Sequence, residues 1–360
     1  MRREKNQYIF ASELTKTRRG HKVRNTILLL LPILFITCWV LNVTVSRRVR
    51  LEELRLTVLN LPEDLEGFSI LHLSDLHGAE FGEKQKAIGT ALGKTRYSCV
   101  VMTGDMLGEN ADIQPLLDLV ALMPNDTPKI LIPGDTDGPA VETTAHSSLS
   151  VYTEWADRIQ AAGIQILDRP LLITREKARI WFIPEDVYAL DLDVTRGAVR
   201  KQLDDLNSRA TSLTPDDAAR IRALEYELQR IDALEEIRGE FLSTDIQVVL
   251  THTPLGNDYV ADLVSWAEKE EIFSMRYADL ILAGHYNGGQ WRIPFVGAVY
   301  VPELGWFPED SLVQGLSYIE GIPQYISPGL GSDPHYEHQP GRIFNSPVIT
   351  RIVLTRKATK

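Results

Sequence analysis

Five times between Ser69 and His285 a short apolar run stops at an acid or an imidazole. Ser69–Leu73 runs into Asp75 and His77, within SDLH, and Cys99–Thr103 into Gly104-Asp105. Lys129–Ile132 runs into Gly134-Asp135, Ile246–Thr251 into His252 of THTP, and Leu280–Ala283 into Gly284-His285. Apolar runs of this length, bounded by turn residues, read as strands buried on both faces. Helix-like stretches at Glu83–Lys94, Gln114–Leu122 and Tyr152–Ala162 fall among them. Strands alternating with helices imply an α/β sheet with covered faces. In such sheets ligands bind outside the carboxyl ends of the strands, where all five polar stations lie. Further strands are expected at Leu54–Leu59, Ile164–Leu167, Leu171–Thr174, Arg179–Ile183, Gln324–Ile326 and Val348–Leu354.

Three aspartates and three histidines make a mixed oxygen and imidazole donor set suited to first-row divalent metals. A glycine before a donor lets the backbone turn sharply and lets a ligand approach. Each station alone is also what a solvated loop or a core histidine would show; together they favour a metal centre.

Thr26–Val45 is a different constraint: 20 residues without a charge. At about 1.5 Å per residue they span ~30 Å, the thickness of a bilayer hydrocarbon core. Eight Lys/Arg precede this run and three follow it. The excess of positive charge before the run places residues 1–25 in the cytoplasm as a basic tail and residues 51–360 outside. A cleaved signal peptide is the competing reading. The absence of a small-residue cleavage site and the Arg47-Arg48 flank favour an uncleaved single-pass anchor over 26–46. Residues 1–50 carry a net +9 within a chain of net −11, so the remainder carries −20. A domain that acidic is a poor partner for nucleic acid. Its two cysteines, Cys38 and Cys99, imply no disulfide framework.

Residues 191–241 interrupt the α/β pattern with a charge-rich stretch nearly free of Gly and Pro. Val199, Leu203, Leu206, Ala210 and Leu213, then Ile221, Leu224, Leu228 and Ile231, recur at heptad-like spacing. Thr214-Pro215-Asp216-Asp217 is a helix start. Two helices joined by a turn are expected, either closing on one another or offering a surface for self-association.

The order of the stations resembles the calcineurin-like metallophosphoesterases, whose pattern runs D-x-H, G-D, G-N-H-[DE], H, G-H-x-H. The stretch GHYNGGQWRIP, followed by YISPGLG and PGRIFNSPVITRIVL, is similar to a membrane-associated bacterial branch in which the last motif continues as G-H-x-H-G-G-Q. The resemblance covers about Leu54–Leu354, with 191–241 as an insertion. It implies a four-layer α/β/β/α sandwich with two divalent ions (Mn, Fe or Zn) at the strand ends. Carried over by motif position, Asp75 and His77 take one ion, and His252, His285 and Asp135 the other. Asp105 bridges the two. Such a bridge holds cations ~3.5–4 Å apart, so that hydroxide can attack phosphorus in line. Three positions depart from the pattern. Asp135 replaces Asn, Thr136 replaces a His that orients substrate or protonates the leaving group, and Asn287 replaces the last His, so that its amide oxygen or a water completes the first ion's shell. His146 is near enough in sequence to substitute for a missing imidazole, and His335 and His338 are loop histidines by the expected rim.

Two functions are therefore open. One is a membrane-anchored phosphohydrolase acting on a phosphoester or pyrophosphate, with a lipid-linked substrate favoured by the tether and Trp291, Trp306 and Phe307 as an apolar rim for acyl chains. The other is a catalytically degenerate scaffold that binds partners on the same fold. The orientation has its own test: protease added to intact cells should digest residues 51–360. Full protection until lysis, with a control outer protein digested, would reverse it.

Overall fold

The computed structural model describes residues 11–145, 150–208, 213–266, 273–333 and 341–356. His146, His335 and His338 lie outside these residues. The chain opens with helix α1 (Ala11–Arg47), which begins well before the apolar run. Its stretch Val23–Arg47 is long and apolar enough to cross a membrane, as a span or as a signal sequence, and packs into no core of the molecule.

Two six-stranded sheets follow. The first has the order β1 (Arg50–Val58), β16 (Val348–Arg356), β2 (Ser69–Leu73), β3 (Cys99–Thr103), β4 (Lys129–Ile132), β5 (Gln165–Ile166). The second has the order β14 (Gly315–Ile319), β15 (Ile322–Ile326), β9 (Leu280–Ala283), β8 (Ile246–Leu250), β7 (Ala178–Pro184), β6 (Leu171–Arg175). Strands β2 to β5 are mutually parallel, as are β7, β8, β9 and β15.

Side chains alternate across each strand, so every central strand serves two cores. Ile70, Val101 and Ile130 from the first sheet meet Phe182, Val248, Leu250 and Leu282 from the second, forming the layer between the sheets. The opposite faces of the same strands, through Leu71, Val100 and Leu131, pack on the helices α2 (Lys86–Leu92), α3 (Gln114–Val120) and α4 (Glu154–Ala161). The outer face of the second sheet, Trp181, Val249 and Ile281, is covered by α6 (Pro215–Arg238) and α7 (Asn257–Trp266). These are the four α/β/β/α layers. Burial on both faces explains why the central strands read as unbroken apolar runs.

The 191–241 stretch forms α5 (Leu192–Asn207) and α6, the latter opened by a Thr214–Asp217 capping box with Pro215 behind the cap. The pair is not self-contained. Tyr226 hydrogen-bonds Asp168, Arg230 reaches Asp186 at 2.5 Å, and Leu234 is buried against the second sheet. Of the expected seam, Val199, Leu206 and Ile231 are buried and Leu213 is exposed. Ala210 lies outside the described residues.

Strand β1 runs parallel to β16, and β16 antiparallel to β2. The start of β1 therefore lies at the edge where β2 ends. Helix α1 enters the sandwich at that edge, where Asn42 Oδ1 accepts the Phe344 amide at 2.7 Å and Val45 O accepts the Ser346 hydroxyl at 3.1 Å.

Candidate metal centre

Strands β2, β3, β4, β8 and β9 all deliver their loops to this edge. Those loops are laced by backbone hydrogen bonds. The Asp75 amide donates to Gly104 O at 3.0 Å, the His77 amide to Asp105 O at 2.9 Å, and the Gly284 amide to His252 O at 2.9 Å. The approach is so close that side chains are excluded at two points. A Cβ on Gly104, whose φ is +83°, would lie 2.5 Å from His252 Nδ1, and one on Gly134 would lie 2.3 Å from the Asp105 amide nitrogen. Asp75, His77, Asp105, His285 and Asn287 all hold positive φ, from 47° to 77°. Non-glycine residues rarely occupy this region, and each costs about 1–3 kcal/mol that its surroundings must offset.

The result is two donor groups with one shared member. Asp75, His77 and Asp105 bring one ligand atom each to within 4.8 Å of one another, and so do Asp105, His252 and His285. The Asp105 oxygens have separate tasks. Oδ1 accepts the Thr136 amide at 2.8 Å, while Oδ2 faces His252 Nε2 at 3.3 Å and His77 Nε2 at 3.7 Å. His252 is oriented by its other nitrogen, Nδ1, which lies 2.8 Å from Thr103 O. His285 Nδ1 lies 3.2 Å from His252 Nε2 and 3.3 Å from Asp135 Oδ2, and the Asp135 carboxylate is largely exposed.

Asn287 sits beside the first group, its Nδ2 3.4 Å from His77 Nε2. That Nδ2 also donates to His285 O at 3.2 Å, which leaves the buried Asn287 Oδ1 without a partner. Thr136 Oγ1 is 3.4 Å from His77 Nδ1. All eight expected site residues thus converge on one edge.

The electrostatics favour a cation there. Burial pushes the Asp75 carboxyl up in pKa, partly offset by His252 and His77. Its Oδ2 is fully buried and has no hydrogen-bond partner. Burial also opposes the Asp105 carboxylate, but His252, the Thr136 amide and His77 outweigh it and hold its pKa well below the usual carboxylate range. Burial works against the charged His252 ring too; Asp105 and Asp75 overcome it and raise its pKa to about 9. Carboxylates that retain a proton on a buried imidazole would equally attract a metal ion in its place.

Three residues that matter here were not anticipated. Asp137 is buried and braces the loop after β4, accepting the Leu107 amide at 2.7 Å and the Gly134 amide at 2.9 Å. Its signal was the acid that closes the G-N-H-[DE] motif, here GDTD, which had been assigned no role. Glu303 brings Oε1 to 3.6 Å from His285 Nε2, and no spacing rule pointed to it. Buried Arg342 donates to Gly331 O at 2.6 Å and Pro328 O at 2.8 Å, clamping the loop whose Gly331 amide bonds Asp75 O at 2.6 Å.

Among solved structures the chain is similar to phosphopantetheinyl hydrolase PptH from Mycobacterium tuberculosis, at 13% identity and TM-score 0.35, over 80% of this chain and 96% of that one. It is also similar to the sulfate thiohydrolase SoxB of Thermus thermophilus, at 12% identity and TM-score 0.32, over 82% of this chain and 57% of the other. Likenesses that slight carry no weight for function. No curated protein matches the sequence. The decisive comparison is with a family profile, calcineurin-like phosphoesterase, which matches residues 68–287. That match takes in well over half the chain and every site residue from Asp75 to Asn287, and the chain belongs to the calcineurin-like phosphoesterase family.

Proposed function

We propose that the protein is a membrane-anchored phosphohydrolase that holds two divalent cations (Mn, Fe or Zn) and cleaves a phosphoester or pyrophosphate bond. In this reading residues 1–25 form a basic cytoplasmic tail, 26–46 the anchor, and 51–360 an extracytoplasmic catalytic domain carrying the 191–241 insertion. The observation that carries the reading is the pair of three-donor groups sharing Asp105. The residues present fit metal ions. Asp75 Oδ2 is buried and unpartnered, and both groups mix carboxylate oxygen with imidazole nitrogen.

Asp75, His77, Asp105 and Asn287 would hold one ion, and Asp105, Asp135, His252 and His285 the other. When bound, the ions supply the positive charge that neutralises a phosphoryl group and activates water. The protein's own contribution is placement. The Thr136 amide fixes Asp105 Oδ1, so Oδ2 is left facing both histidines. Thr103 O selects the tautomer of His252 that presents Nε2 to the site as an acceptor. Asp135 and Glu303 flank His285 from opposite nitrogens and are both partly exposed, so each is open to an incoming substrate or its leaving group. Thr136 offers a neutral hydroxyl where a cationic acid would stand. The chemistry therefore suits leaving groups that depart without full protonation.

A second reading, a degenerate scaffold, draws on one observation: Asn287 turns its amide nitrogen, not its oxygen, toward His77. A half-turn of that amide would present Oδ1 to the first ion and sacrifice the bond to His285 O. Within either reading the exposed Val194 and Leu213 leave the hairpin a surface for self-association.

Three experiments separate the readings. Elemental analysis of the wild-type chain, purified without chelator and supplemented with Mn, should find at least one divalent ion per chain, and Asp105→Ala should lose both; no ion in the wild type would end the metal reading. Asn287→His should tighten the weaker site by about tenfold or more, equivalent to ~1.4 kcal/mol. Thr136→His should raise turnover of phosphoesters with poor leaving groups and barely change activated aryl esters. A metal-replete protein inert toward mono-, di- and pyrophosphoesters alike, with both changes in place, would favour the scaffold.

A further inference from the structure

Outside α1, fifteen large apolar residues are exposed among the described residues, and seven of them fall within residues 293–312. Ile293, Phe295, Val296, Trp306, Phe307 and Leu312 are the more exposed six; Phe295 is 109% exposed and Trp306 71%. The seventh, Tyr300, has its ring 5.0 Å from that of Trp306. The other eight are scattered from Leu59 to Tyr318. Soluble surfaces rarely concentrate apolar side chains in this way without something to cover them.

The segment that exposes them is ordered. It consists of two small hairpins, β10 (Arg292–Ile293) with β11 (Gly297–Ala298) and β12 (Tyr300–Val301) with β13 (Gly305–Trp306). Ala298, Val301 and Val313 make a core of their own beneath them. Arg292 pins the base, donating to Gly288 O at 2.9 Å and pairing with Asp310 at 2.6 Å. The apolar side chains are therefore presented by a folded flap.

Two connections say what covers it. The flap's base is bonded to the segment that holds α1: the Arg292 amide donates to Ile343 O at 2.9 Å, and residues 344 and 346 bond Asn42 and Val45 of α1. The flap's inner wall is part of the metal centre, because Tyr300, Val301 and Glu303 share a cavity of about 50 Å³ with His285 and Asn287. The same flap thus adjoins the end of the membrane helix on one side and the chemistry on the other.

We infer that the 292–312 flap docks into the interface of the bilayer that α1 crosses, so that the metal centre opens at the membrane surface toward a phosphate borne by a lipid. The inference rests on the proposed membrane reading of α1. Trp and Tyr are the side chains favoured at such interfaces, and their apolar neighbours fill the acyl boundary below. The contact is apolar, not electrostatic. Glu303 and Glu309 would be repelled by anionic lipid, and Asp310 is already occupied by Arg292.

The test uses the full chain reconstituted into phosphatidylcholine vesicles containing shallow doxyl-labelled lipid. A thiol-reactive fluorophore is placed at native Cys38 in α1 or, in a Cys38→Ser background, at Phe295→Cys, Trp306→Cys or Leu59→Cys. Cys99 is buried and would not react. Leu59 follows β1, a strand of nine residues, and so lies ~30 Å from the edge where α1 enters. Labels at 295 and 306 should be quenched at least about twofold more than the label at 59, with no dependence on salt or on added anionic lipid. Quenching at Cys38 without quenching at 295 and 306 would overturn the flap contact and leave the anchor standing. No quenching at Cys38 would overturn both. A blue shift at 295 that grows with protein density but resists doxyl quenching would show a second copy covering the flap, and would also overturn the inference.

Discussion

Asp105 stands where two groups of donors meet, and the fold treats its two oxygens differently. One is spent on the Thr136 amide, and the other faces His77 and His252. This division requires the loops after β2, β3, β4 and β8 to approach within backbone contact, which is why Gly104 and Gly134 tolerate no Cβ. The positive φ values of Asp75, His77, Asp105, His285 and Asn287 belong to the same crowding. Burial of two sheets against each other holds these strained loops in place. Ile70, Val101, Val248 and Leu282 lie a few residues behind the donors and are all fully buried. The core and the site are thus continuous along the same strands.

The central strands were legible because they are buried on both faces, so each is an unbroken apolar run ending at a donor. The five stations fell where they were read for that reason. Half-exposed elements were not legible. Strand β14 places Leu316, Ser317 and Tyr318 at the margin of its sheet and gives no apolar run, and it was missed together with α7. The first strand begins at Arg50, earlier than expected, because an edge strand alternates with solvent and carries charge without penalty. The stretch Glu83–Lys94 proved to be a 3₁₀ turn before a shorter helix, its Lys84 and Gln85 held in the left-handed region. Glu303 and Arg342 could not be read at all. Their partners, His285 and the 328–331 loop, are fixed by tertiary approach and leave no local spacing.

The antiparallel relation of β1 to β2 has a consequence that composition alone could not supply. It brings the apolar helix into the sandwich at the edge that carries the Asp and His donors and not at the opposite one. On the proposed reading, in which that helix is an anchor, the site is held near the surface from which the anchor emerges, and the acidic domain around it would need local positive charge to accept a phosphate. Bound cations would provide that charge, and in the proposed reading the apolar helix and the Asp and His edge would then serve one arrangement.

The central claim is that Asp105 joins two metal sites. Electron paramagnetic resonance of the chain loaded with two equivalents of Mn(II) tests it most directly. Ions bridged by one carboxylate at ~3.5–4 Å should be exchange-coupled and give a broad multiline spectrum. A simple six-line signal of isolated Mn(II) at full loading would contradict the shared-carboxylate centre.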